Sequence, residues 1–223
     1  MSAPRAIAVI GGTGHLGQGL AGRWAAAGHT IFIGSRAAAR AAAEARALAA
    51  KIGAAARISG AANRQAAEAA EIIVLAVPFA HHHAILSELR EAAQGKIVID
   101  ATVPLVPPKL ARVQLPPEGS AAKAAQAFLG TGVRVVSAFQ NVAADRLGRD
   151  REPIDCDILV AGDDPAARAT VIELARDIGL RAWHAGPIDN SVAAEALTSV
   201  LIFINRHYKI DGAGIRITGH PAG

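Results

Sequence analysis

Gly12, Gly14 and Gly17 fill a G-x-G-x-x-G spacing, with Thr13, His15 and Leu16 set between them. The run follows a short apolar segment, residues 6–10, and passes directly into a helical pattern. In that context it reads as the turn of a dinucleotide fold. The first glycine allows a tight turn, the second lets backbone N–H groups approach a pyrophosphate, and the third lets the helix pack on the strand. The helix N-terminus then presents unpaired N–H groups and a partial positive charge to the phosphates. A second stretch, Gly34-Ser35-Arg36 with Arg40 one helical turn later, refines the ligand. An NAD site carries Asp or Glu about 20 residues beyond the glycines to hold the ribose hydroxyls. None stands here; Ser35 offers a hydroxyl, and Arg36 and Arg40 offer guanidinium forks that suit a 2′-phosphate. The expected cofactor is therefore NADP(H), the alternative being a solvated helix start.

Further along, the apolar run 72–77 closes at Pro78, and the carboxyl end of such a strand lines the ligand cleft at the switch point of a doubly wound sheet. Val77, Pro78 and Phe79 are thus expected near the nicotinamide ribose. Residues 133–138 form another strand, and Ala138, Phe139, Gln140, Asn141 and Val142 lie where they would face the same cleft; Gln140 and Asn141 serve equally well as braces of the following turn. His81-His82-His83 invites a metal, but adjacent helical residues diverge and no Cys or carboxylate cluster joins them. They are expected on a solvated helix start, with no metal site. No acid–base pair is visible: Asp100 and Glu195 stand as isolated carboxylates, expected as caps or ion-pair members rather than catalysts. A cleft poor in proton donors suits hydride transfer between two ring systems better than carbonyl reduction, because that transfer chiefly needs the two carbons held close in a dry slot.

Two other glycine-loop chemistries fall away. A phosphate-binding NTPase loop needs Lys-Ser/Thr after its last glycine, whereas Gly17 is followed by Gln18-Gly19. A short-chain dehydrogenase would pair a tyrosine with a lysine four residues on, whereas Tyr208 reaches Gly212 at that offset.

The elements that must position these groups alternate between strand and helix. Strands are expected at 6–10, 30–33, 56–60, 72–77, 96–101 and 133–138, then at 157–161 and 180–184, with helices between them. The continuous apolar runs are those of strands buried on both faces. The fold class is α/β, a Rossmann-type doubly wound parallel sheet, with residues 1–150 as the NADP-binding domain and 151–223 as a smaller C-terminal domain that completes the substrate cleft. Residues 102–117 hold five prolines and must be a loop, a wall for that cleft. Asp163 or Asp164 is expected to cap the helix that follows, with Pro165 just inside.

Composition bounds the partners. Apolar residues make up 52% and charged residues 19% of 223, which is globular. A net charge of +4 suits a polyanionic small ligand, and the absence of Lys/Arg clusters interleaved with aromatics argues against nucleic acid. No apolar run reaches the roughly 20 residues of a membrane helix, and no opening stretch resembles a signal peptide. One cysteine, Cys156, precludes an intrachain disulfide and is expected to be a small core residue, so a cytoplasmic setting is the default. The apolar helix 192–204 is expected to be buried against a second subunit of a homodimer.

Together these motifs resemble a known family. The run from Gly11 to Leu20, the segment Ile33-Gly34-Ser35-Arg36 and Val77-Pro78 look like the NADPH-dependent coenzyme F-420 reductases. Residues 135–141, Ala161-Gly162-Asp163-Asp164 and Ala185-Gly186-Pro187 carry the resemblance nearly to the C-terminus. It implies reversible hydride transfer between NADP(H) and the deazaflavin ring of coenzyme F-420. It also implies that Thr13, Ser35, Arg36 and Arg40 hold the NADP phosphates, and that residues 138–142 with the C-terminal helix line the deazaflavin pocket. The alternatives are an NADP-dependent reductase of another flavin-like, pterin-like, imine or carbonyl substrate, and a redox sensor that binds NADP without turnover.

Overall fold

A computed structural model describes residues 2–149 and 153–219. The chain begins with β1 (Ala6–Ile10), α1 (His15–Ala26), β2 (Thr30–Ser35), α2 (Ala38–Ile52), β3 (Arg57–Ala62) and α3 (Asn63–Ala69). It continues through β4 (Ile72–Leu75), α4 (Phe79–Leu89), β5 (Ile97–Asp100), α5 (Ala121–Leu129), β6 (Arg134–Ser137) and α6 (Ala144–Gly148). It ends with β7 (Asp157–Ala161), α7 (Pro165–Asp177), β8 (Arg181–Gly186), a 3-10 turn (Ile188–Asn190) and α8 (Ser191–Tyr208).

The eight strands form one sheet in the order β3-β2-β1-β4-β5-β6-β7-β8. Chain direction reverses its lateral course between β1 and β4, which makes the crevice above their carboxyl ends the ligand site of a doubly wound fold. All pairs are parallel except β6–β7, which meet antiparallel at Ser137 and Ala161. The expected parallel sheet therefore holds through β6. Beyond it, β7 and β8, parallel to each other, extend the same sheet in the opposite sense. The domain boundary expected at residues 150/151 lies outside the described residues.

Alternation along the strands explains the three layers. In β1, Ile7 and Val9 enter one core with Trp24 of α1 and Val171 of α7, while Ala8 and Ile10 enter the other with Leu86 of α4 and Ala125 of α5. β4 is buried on both faces, as its unbroken apolar run requires. Asp164 caps α7, accepting from the Ala167 N–H at 2.6 Å, with Pro165 in the first turn. The proline-rich stretch 102–117 has neither helix nor strand. Cys156 is buried just ahead of β7, and burial pushes its thiol above the usual range.

Candidate functional site

At the end of β1 the backbone reverses at Gly11, whose φ of +80° belongs to the left-handed region; a Cβ there would sit 2.3 Å from the Ala76 carbonyl oxygen. The sharp turn thus falls one residue before Gly12, the glycine expected to make it. Gly17 brings α1 onto that turn so closely that a Cβ would lie 2.5 Å from the Gly11 carbonyl oxygen. Gly14 is different. It is exposed, and the nearest protein atom to an added Cβ is 3.4 Å away. The protein itself has room for a side chain at Gly14, so packing does not require glycine there. Gly14 caps α1 without a side-chain bond, so the first amides of the helix, at His15 and Leu16 behind Thr13, are available to an anion.

On the adjacent strand, Ser35 ends β2 and its Oγ accepts from the Ala37 N–H at 3.3 Å. Arg36 and Arg40 are exposed, and neither makes an ion pair among the described residues. Arg40 sits in the first turn of α2, which holds no acid. A cation at the positive end of a helix is unfavourable by itself. Arg36 lies just ahead of the same helix, two residues beyond Gly34, whose carbonyl accepts from the Gly11 N–H at 3.2 Å. Nearby is a residue the sequence reading missed. Asn63 opens α3, is 1% exposed, donates from Nδ2 to Glu88 at 3.1 Å and leaves its buried Oδ1 without a partner. Its only sequence signal is a polar residue at a strand end.

Above β4, Val77 and Phe79 are half-buried, and Pro78 is exposed as the cap of α4. The expectation of three solvated histidines is corrected for one of them. His81 and His83 are exposed, but His82 is buried and its Nε2 lies 2.7 Å from Asp100 Oδ2. Asp100 ends β5 in register with Leu75 and Ser137, at the carboxyl edge of the sheet. It is wholly buried, and its Oδ1 accepts from the Thr102 N–H at 2.9 Å.

Glu195 of α8 comes from the far end of the chain to this same neighbourhood. It accepts from the Ala121 and Ala122 N–H groups at 2.7 and 3.0 Å, capping α5, and is 1% exposed. Burial pushes its carboxyl up to about 7; the two backbone bonds oppose that, Asp100 adds to it and His82 offsets part of it. Burial pulls His82 down, but the Asp100 charge and hydrogen bond, with Glu195 beyond, outweigh it and leave the imidazole above its ordinary value. Asp100 thus pairs with His82 and Glu195 caps α5, the ion-pair and capping roles expected of them, and Glu195 also feels the charges of Asp100 and His82. Among the described residues no group of three His, Cys, Asp or Glu could hold a metal ion.

After β6 comes the turn expected to face the second substrate. Phe139 has a φ of +72°, a conformation that costs a non-glycine residue on the order of 1 kcal/mol. Its ring is spent on the core, edge-on to Trp24 at 5.6 Å. Ala138 and Val142 are buried as well, so this turn offers a ligand its backbone more than these side chains. Gln140 donates from Nε2 to the Asp100 carbonyl at 2.7 Å and to Ser137 Oγ at 2.8 Å. Asn141 donates from Nδ2 to the Asp157 carbonyl at 2.7 Å. Both amides brace the turn, and both leave a buried oxygen without a partner. Thr198 of α8 donates to the Gln140 carbonyl at 2.9 Å, tying the C-terminal helix to the turn.

Fold and topology define a Rossmann-type, doubly wound α/β protein. Residues 6–104 match the family described as NADP oxidoreductase, coenzyme F420-dependent. Over 221 residues the chain is 42% identical to the F420-dependent NADP reductase of Methanothermobacter marburgensis, covering 96% of this chain and 99% of the relative. It is 42% identical over 219 residues to the enzyme of the same name from Methanocaldococcus jannaschii, covering 95% and 97%. A solved structure from Arthrobacter sp. fb24, a candidate f420 dependent nadp-reductase, superposes with a TM-score of 0.81 at 27% identity, covering 96% of this chain and 100% of that one. The chain belongs to the F420-dependent NADP reductase family.

Proposed function

We propose that this protein is an oxidoreductase that moves hydride between NADP(H) and the deazaflavin ring of coenzyme F-420. The observation that carries the reading is the pair Arg36 and Arg40, uncommitted to any carboxylate and set beside an open glycine corner. The pyrophosphate would lie on the amides of residues 12–17, with Thr13 beside it. Ser35, Arg36 and Arg40 would hold the 2′-phosphate, and Val77, Pro78 and Phe79 would flank the nicotinamide ribose. NADPH supplies the hydride when bound. What this chain contributes is orientation and a dry slot, formed between the 76–79 segment and the braced turn of residues 138–142 under α8. Of the expected C-terminal domain, 151–223, the described part from β7 to α8 would complete this slot.

Two further readings belong to the same proposal. Val200 and Phe203 leave α8 with an exposed apolar face, which suits pairing with a second copy in a homodimer. Among the described residues no helix is long and apolar enough to cross a membrane, and a small-molecule reaction with a reduced thiol suits a cytoplasmic enzyme.

The deciding assay follows the deazaflavin absorbance with NADPH, against flavins, pterins, imines and carbonyl compounds. Turnover confined to the deazaflavin is expected. Turnover of imines without it would favour the reductase alternative, and tight NADP binding without any turnover would favour a sensor. Arg36→Ala should weaken NADPH about tenfold or more while leaving NADH nearly unchanged; equal losses for both nucleotides would remove the phosphate assignment.

A further inference from the structure

Reduction of a deazaflavin needs a proton as well as a hydride. The C–H bond at C4 of the dihydronicotinamide breaks with its electron pair and a C–H bond forms at C5 of the deazaflavin. The ring's electron pair moves to N1, where an N–H bond forms with one proton. NADPH is oxidised, the deazaflavin is reduced, and one proton is consumed per turnover; the reverse reaction releases it. None of the residues assigned to the slot, 76–79 and 138–142, carries a titratable side chain.

His82 of α4 and Asp100 of β5 pair at 2.7 Å, and Glu195 of α8, bonded to the Ala121 and Ala122 amides, is buried within electrostatic reach of both. All are buried, which is costly for charged groups unless they are paired. The groups that face Glu195 are the Ala121 and Ala122 amides at the positive end of α5, Asp100, and His82; Lys123 of α5 is engaged at the exposed rim with Asp189. Two buried polar atoms beside Asp100 have no partner. One is Thr102 Oγ1, in the residue whose N–H donates to Asp100 Oδ1. The other is Gln140 Oε1, in the amide that donates to the Asp100 carbonyl. The Gln140 Nε2 bond ties Asp100 to the turn of residues 138–142.

We propose that His82 and Glu195, with Asp100 pairing His82, form a buried proton store that supplies deazaflavin N1 during reduction and takes the proton back in reverse, with the unpartnered Thr102 hydroxyl as the link. This rests on the deazaflavin reading of the site. His82 and Glu195 act as the proton-holding residues, and Asp100 positions the His82 ring. Because His82 and Glu195 each bias the other, the exchange step belongs to the pair.

The test compares wild type with Glu195→Gln and His82→Gln in two measurements. The first is the pH profile of kcat for deazaflavin reduction. The second is the number of protons taken up or released when NADP+ and oxidised deazaflavin bind, from calorimetry in two buffers of different ionisation enthalpy. Wild-type kcat should fall about tenfold per pH unit above the titration of the store. In each variant that break should vanish or move by at least about one unit, with the proton count altered and KM for NADPH within about twofold. Variants that lose rate equally at every pH and keep the wild-type proton count would reduce the cluster to a brace and overturn the proposal. If Glu195→Gln does not fold, His82→Gln decides alone by the same criteria. Wild-type enzyme without any deazaflavin turnover would sink the functional reading, whereas turnover with unchanged profiles would sink the proton store only.

Discussion

Gly14 and Gly17 show how identical residues in one motif serve different ends. Alanine at Gly17 would press on the Gly11 carbonyl at 2.5 Å, so Gly17→Ala should destabilise the fold by about 2 kcal/mol, read by urea denaturation. Alanine at Gly14 meets nothing closer than 3.4 Å and should leave stability within about 0.5 kcal/mol while weakening NADPH about tenfold or more, read by fluorescence titration. The spacing alone treats the two alike; only the distances separate the glycine that packing requires from the one it does not. The three histidines teach the converse. A helix turns about 100° per residue, so His81, His82 and His83 must point differently. Which of them turns inward depends on where Asp100 lies, 18 residues on.

Among the elements, α8 carries the most undecided burden. Glu195 and Thr198 hold its inner face to the α5 amides and to the Gln140 carbonyl. Its outer face exposes Val200 at 43% and Phe203 at 54%. Phe203→Asp should convert a dimer to a monomer by light scattering at micromolar concentration, with the NADPH affinity of each chain unchanged. A wild type already monomeric under those conditions would end the dimer reading. The apolar character of this helix was legible in the chain, since residues 192–204 are almost free of charge. Its one carboxylate was legible only as a cap or ion-pair member, because a lone Glu in an apolar helix acquires its partner only from the helix end it caps. The strands through β6 were equally legible from their apolar runs. The reversal at β7 was not, because the pairing sense of two strands is decided by the path between them.

At the scale of the whole molecule, titration links the ends of the chain to its stability. Burial raises Asp157, but hydrogen bonds from Arg181, the Ile217 N–H and Trp183 outweigh it and hold its carboxyl below the usual range. That contribution is full above the ordinary carboxylate range and disappears as pH falls through the lowered value. Asp157→Asn should therefore lower Tm at neutral pH and flatten its fall below about pH 4. Glu195 runs the other way. Its carboxyl lies at about 7 against an ordinary 4.5, so its contribution is full at low pH and is lost as pH rises between those values. His82, also raised, loses its contribution as pH climbs beyond 6.5. The Tm of wild type should decline from pH 5 to 8 more steeply than that of Glu195→Gln, as read by calorimetry.

Local chemistry was settled by the chain itself. A strand, a glycine turn, a helix start and two arginines in place of an acid all lie within residues 6–40, and neighbours in sequence are there neighbours in space. The pairing of His82 with Asp100 and the reach of Glu195 to both together span over a hundred residues, and so did the fate of Phe139 against Trp24. Such encounters depend on which helix packs over which strand, and on what burial then does to a charge. Neither is encoded in any short stretch, so only the folded chain decides them.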